Sequence, residues 1–173
     1  MTCRRIVGSE QRIYGRMADA PSYTKIKLTP ELHSKINNAL AEGHPLVLAV
    51  VDPQGQPYLS FRGSLQTYSD TQLGLWARIA QGNTVESIRK NPKVALIYRS
   101  PTTPLMQFHG CARIATDEDE RERVFAAAPE AERKADPDKK GLAIIIDLTR
   151  VEGVLGIGPD GPIWCRMAAD APR

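Results

Sequence analysis

Residues 141–148 (GLAIIIDL) are the most strongly β-branched run in the chain, and such a run is stable only as a strand with both faces covered. A sheet must be built around it. The other strand-like runs, 45–51 (PLVLAVV), 57–64, 72–77, 93–99 (KVALIYR) and 105–115, are short and end at turn or helix-breaking residues. The chain is therefore expected to be mainly β. At 173 residues it suits one domain with a core that needs no disulfide or structural metal. No apolar run nears the roughly 20 residues of a membrane-spanning helix, so a membrane is not expected among its partners.

Local chemistry sets the order of the elements. Asp52-Pro53-Gln54-Gly55 has the residues of a tight turn and joins 45–51 to 57–64 as a hairpin. In the second arm Tyr58, Ser60, Arg62 and Ser64 alternate with Leu59, Phe61 and Gly63, so polar and apolar faces separate. Thr29-Pro30 opens a helix that Gly43 closes, with Leu32, Ile36 and Leu40 on one face. Asn83 is expected to cap a short helix, with Glu86 three residues on, and Asn91-Pro92 ends it. The acids at 117–120 suit the positive end of a further helix. Residues 129–140 read as loop with some helix, 150–155 as one further strand, and the glycine- and proline-rich stretch beyond 156 as irregular.

The net charge of +3 is confined to one end, because Arg4, Arg5, Arg12 and Arg16 face only Glu10 within residues 1–16. The neutral remainder offers no electrostatic footprint for nucleic acid. The first 28 residues read as a basic leader, either a disordered arm or a stretch preceding a true start at Met17. Cys3, Cys111 and Cys165 are odd in number and widely spaced, which suggests free thiols in a reducing cytoplasm, and no secretory apolar stretch precedes them.

Several motifs reduce to structure. The GxGxxG match at 156–161 lacks the helix and later acid of a dinucleotide site, and Pro159 and Pro162 oppose such a helix, so it reads as a turn. His109 and Cys111 share a strand face, but two ligands make no metal site. The junction 78–84 (RIAQGNT) is richer: an arginine, a glycine, an amide and a hydroxyl lead into a helix N-terminus. It can be a simple capped helix or an anion site, with Arg62 on the neighbouring strand's polar face adding a charge-assisted contact.

The order of elements from 45 to 115 resembles the pyridoxamine-phosphate-oxidase-like family. The resemblance rests on the hairpin with Arg62, Leu75-Trp76-Ala77-Arg78, Gln81-Gly82-Asn83-Thr84, Gly110-Cys111-Ala112 and, most specifically, a short helix running into Asn91-Pro92-Lys93-Val94-Ala95-Leu96. It covers roughly residues 30–155. It implies a six-stranded split barrel over 29–156, followed by an irregular tail at 157–173, and a homodimer with flavin mononucleotide (FMN) in the groove between subunits. By that resemblance Arg62 and Ser64 on the strand and Arg78, Gly82, Asn83 and Thr84 on the loop hold the cofactor, with Gln107 of the other subunit at the flavin ring.

Members of the family hold FMN, a deazaflavin cofactor or haem, and some hold flavin without turnover. The expectation here is an FMN-dependent oxidoreductase that moves a hydride between the flavin and a nicotinamide donor or another small-molecule substrate; the alternative is a stress-related cofactor-binding protein. Two departures narrow this. Gly82-Asn83-Thr84 stands where the vitamin oxidases carry a Ser-Arg-Lys run, and Trp164-Cys165-Arg166 does not reproduce their arginine- and histidine-containing end. Oxidation of the vitamin itself is therefore not expected.

Overall fold

The computed structural model describes residues 22–101 and 103–171. In chain order the elements are β1 (Thr24–Lys25), α1 (Pro30–Asn38), β2 (Leu46–Val51), β3 (Pro57–Arg62), β4 (Gln66–Ser69), β5 (Gln72–Ala77), α2 (Asn83–Lys90), β6 (Lys93–Arg99), β7 (Leu105–Ile114), α3 (Glu118–Ala127), α4 (Glu130–Lys134), β8 (Leu142–Gly158) and β9 (Gly161–Ala168). The chain is mainly β, as expected.

The nine strands of the described residues belong to one unclosed sheet, ordered β1-β9-β8-β7-β6-β2-β3, with β4 attached through β5. The 17-residue β8 organises it. One edge of β8 pairs with β7 from Ile144 to Val154, while the other edge is shared between β5, along Leu142–Asp147, and β9, along Arg150–Gly158. A register shift beside His109 leaves Thr149 as the extra residue at the point where the two halves meet.

The strands anticipated from the sequence are all present, except that 150–155 is no separate strand but continues 142–148 as the single β8, and three more join them. β4 is short and polar, and it lies against the far edge of β5. β1 adds two residues to β9, which shortens the leader: Ile26 and Leu28 are buried in the core, and the Leu28 N–H donates to Asp70 O at 2.8 Å. Cys3, Met17 and the four arginines of the leader lie outside the described residues.

The tail expected to be irregular is instead an antiparallel hairpin. β8 runs on to Gly158, Pro159-Asp160 turns the chain, and β9 returns from Gly161. Glycine and proline misled here because they mark the hairpin's tip, where Gly161 has φ of 111°, and leave the paired backbone on either side intact.

The anticipated turn is realised at the first hairpin and the anticipated N-cap at the first helix, but that helix ends at Asn38 with Ala39 as its C-cap, and Gly43 closes the turns that follow. Asp52 Oδ1 accepts from the N–H groups of Gln54 and Gln56 at 2.9 and 2.8 Å, and the Thr29 hydroxyl accepts from the Leu32 N–H at 3.3 Å. The main core joins Leu32 and Ile36 of α1 to Leu48, Leu73, Phe108 and Ile146 of the sheet. A second cluster, with Trp76, Ala143 and Ile145 under Val124 and Phe125 of α3, covers the opposite face of β5 and the first half of β8. Trp76 and Phe125 meet edge to face at 4.8 Å. No helix of the described residues is long and apolar enough to cross a membrane.

Candidate functional site

Arg62 ends β3 opposite Leu46, a fully buried residue, so its side chain leaves the sheet on the inner side. There it meets α2: Nη2 donates to Thr84 Oγ1, while Nε is buried without a partner. Burial lowers the pKa of the guanidinium, and the fields of Tyr58 and Glu132 oppose that shift. An arginine starts so high that it remains a cation. A half-buried cation whose Nε–H is buried and unpaired is short of an acceptor.

The loop before α2 supplies the facing wall. Gly82, not Asn83, is the N-cap, and no side chain caps the helix. The capping box anticipated at Asn83 and Glu86 therefore does not form, because the Gly82 N–H closes a turn on Ile79 O at 3.0 Å and places Asn83 one residue inside the helix. A Cβ on Gly82 would lie 3.1 Å from Ile79 O, tight enough to disturb that turn. The outcome is a helix N-terminus whose first residues face a cleft with their dipole uncovered.

Arg62, Ser64, Arg78, Gly82, Asn83 and Thr84 all line this cleft, of about 210 Å³, together with Trp76 and Glu132. Ser64 is buried and its hydroxyl donates to Trp76 O at 2.7 Å, so its proton is committed to the fold and only its lone pairs face outward. Arg78 is half exposed and its Nε lies 3.2 Å from Glu132 Oε2. Gln107 is elsewhere: it sits on the outer face of β7, in a separate cleft with Leu105, Glu152, Val154, Trp164 and Arg166.

A family model described as pyridoxamine 5'-phosphate oxidase matches residues 32–153. The chain belongs to the pyridoxamine 5'-phosphate oxidase family. Solved structures share the family fold. A pyridoxamine 5'-phosphate oxidase-related, FMN-binding protein of Nostoc punctiforme is 18% identical with a TM-score of 0.57, covering 83% of this chain and 98% of its own. HupZ of Group A Streptococcus is 22% identical with a TM-score of 0.54, covering 76% and 99%. A Clostridium acetobutylicum protein related to general stress protein 26 of B. subtilis is 15% identical with a TM-score of 0.53, covering 78% and 95%. No curated protein matches the chain.

Within this member of the pyridoxamine 5'-phosphate oxidase family, two acids escaped the sequence reading, and both lie in the segment 129–140 read as loop with some helix, of which α4 is the helical part. Glu132 of α4 enters the cleft itself. Asp136 props the cleft from below: its carboxylate accepts from Trp76 Nε1 at 2.9 Å and from the N–H groups of Lys140 and Gly141 at 2.9 and 2.8 Å. Burial pushes Asp136 upward, but these hydrogen bonds and the Lys140 charge outweigh it and hold the carboxyl below its ordinary value. The Asp136-Pro137-Asp138 turn chemistry was a usable signal for the second acid; nothing local pointed Glu132 at Arg78. His109 and Cys111 do share the outer face of β7, and no group of three metal-ligating side chains occurs among the described residues.

Proposed function

We propose that the chain binds FMN through its phosphate at this cleft and acts as a flavin-dependent oxidoreductase on a small organic substrate or a nicotinamide donor. The observation that carries the reading is Arg62, a half-buried cation whose Nε is buried and unpaired, set against an uncapped helix N-terminus. A phosphate monoester satisfies both at once, by charge-assisted hydrogen bonds and by the helix dipole. Two arginines and a helix N-terminus at the cleft suit a phosphate-bearing cofactor. Bound FMN supplies hydride acceptance and donation at its ring system. The chain's part is to fix the phosphate with Arg62, Arg78 and the backbone at 82–84, and to shelter the ring.

One subunit cannot shelter the ring alone, so the proposed unit is a homodimer joined through the outer sheet face. Residues in register across strands share a face, and here Phe61, Val47, Ile97 and Gln107 form one row, with Leu105, Val154 and Trp164 in a second. Phe61, Ile97, Leu105 and Trp164 are exposed in the single chain. Phe61 also lines the phosphate cleft, so a second copy docked on this face would roof the cleft's mouth and bring its own Gln107 towards the ring.

The test is a cofactor titration followed by absorption. Wild-type protein is expected to bind FMN, and Arg62→Ala or Arg78→Ala to weaken it by roughly one to two decades, the worth of a charge-assisted contact. Arg89→Ala, an exposed change on α2 outside the cleft, should leave affinity unaltered. Retained affinity in both cleft variants removes the phosphate site. Binding of a deazaflavin in place of FMN would keep the site and change the cofactor, and reduction of bound FMN by a nicotinamide under anaerobic conditions would separate turnover from storage.

A further inference from the structure

The cleft proposed for a phosphate already contains an anion. Glu132 Oε2 lies 3.2 Å from Arg78 Nε, and the Glu132 side chain is only 19% exposed. Its other oxygen lies close against Gly63, the residue after Arg62, where a Cβ would stand 2.6 Å from Glu132 Oε1. The carboxylate thus stands at one cleft arginine and one residue from the other.

We infer that Glu132 is the cleft's internal counter-anion, occupying part of the space that a ligand phosphate needs and leaving when the phosphate arrives. The inference rests on the phosphate reading of the cleft. Two features of the fold make the exchange possible. Helix α4 is five residues long, has no side-chain cap and contributes no buried residue, so although buried Ala128 and Asp136 anchor the chain on either side of it, the Glu132 side chain is free of core packing and can swing away. The Arg78 end of the pair is half exposed, so breaking it costs little once a better anion is present. The competition sets specificity: a monoester phosphate with two charges, able to engage both arginines, displaces one carboxylate, whereas a singly charged anion gains little by the exchange.

The full chain carrying Glu132→Gln keeps the shape of the side chain and removes the charge. Titrated with FMN, this variant is expected to bind on the order of fivefold more tightly than wild type, with inorganic phosphate competing for bound FMN more strongly by a like factor and riboflavin, which has no phosphate, unchanged. Glu132→Asp, which draws the carboxylate back by one methylene, should fall between, and it serves as the readout should the glutamine variant fail to fold. FMN affinity that stays within twofold of wild type, or weakens, overturns the inference, since a weaker complex would make Glu132 a contact to the ligand. An equal gain for riboflavin overturns it as well. If Arg62→Ala and Arg78→Ala both retain FMN, the phosphate reading itself falls; if they lose FMN while Glu132→Gln gains nothing, only the role of Glu132 falls.

Discussion

The two halves of β8 are one strand with two environments. From Ala143 to Ile146 every side chain is buried, Ile144 and Ile146 in the main core and Ala143 and Ile145 beneath α3. Beyond Thr149 only Val151 is buried; the outward Glu152 lies in register with Gln107 and Arg166, and Val154 with exposed Leu105 and Trp164. The same sheet face is therefore roofed by helix at one end and bare at the other. A strand roofed on both faces must be apolar throughout, whereas the bare half is free to mix glycine, glutamate and valine. The roofed half fixes the cleft, because Trp76 and Ala77 of β5 pair with Ala143 and Leu142; the bare half holds the surface proposed for the second subunit.

The sharpest way to break this contrast is to hollow out the roofed half. Ile145 is fully buried among Trp76, Val124 and Phe125, so Ile145→Ala removes three carbons with no solvent to fill the space. It is expected to lower unfolding free energy by about 4 kcal/mol in denaturant titrations, within the usual range for isoleucine to alanine in a core. A loss below about 1 kcal/mol would mean that α3 does not seal this face.

Asp136 extends the same roof: one of its three accepted hydrogen bonds ties the α4–β8 loop to Trp76, and the other two close that loop on the N–H groups of Lys140 and Gly141. Asp136→Ala leaves those donors short of an acceptor and should cost roughly 3 kcal/mol at neutral pH. The pH dependence follows from the direction of its shift. The folded carboxyl titrates below its unfolded value, so its stabilisation is complete above the ordinary aspartate range, near pH ~4, and disappears as pH falls through the lower folded value. Asp136→Asn should therefore flatten the acid side of the stability profile. Identical slopes for the two proteins between about pH 5 and 3 would show that this carboxylate is not linked to folding.

How much could be read beforehand follows the same division. Strands whose burial demands continuous or alternating apolar residues, such as 46–51, 93–99 and 142–148, were legible, as were the turn at 52–55 and the capped helix at 30. Residues 150–155 were legible as strand, though not as a continuation of 142–148, whereas the end of β8 and all of β9 were not, because strands over a bare face need paired backbone more than apolar side chains. The cleft divides likewise. Arg62, Arg78 and 82–84 come from consecutive elements, so strand parity and helix-start chemistry could bring them together. Glu132 arrives across the fold from a short helix with no buried residue, and no periodicity marks a side chain that folds back onto an arginine 54 positions earlier.

The smallest expected effect on folding belongs to the bare half, and it is the one that sharpens the comparison most. Trp164 is 57% exposed, paired with Val154 and stacked under the Arg166 guanidinium at 5.0 Å. Within one chain Trp164→Glu gives up little burial, so the stability of the dilute monomer should change by less than about 0.5 kcal/mol, as for other surface substitutions. In the proposed dimer the same change sets a charge, and its symmetry mate, into an apolar interface where neither has a partner. Light scattering at working concentration should then report one chain mass for the variant and twice that for wild type. Because Trp164 lies in the Gln107 cleft and outside the phosphate cleft, weakened FMN binding in the monomeric variant would arise from the lost roof over the ring, with phosphate competition preserved. A variant that remains dimeric moves the subunit contact off this face and leaves the bare half of β8 without the role proposed for it.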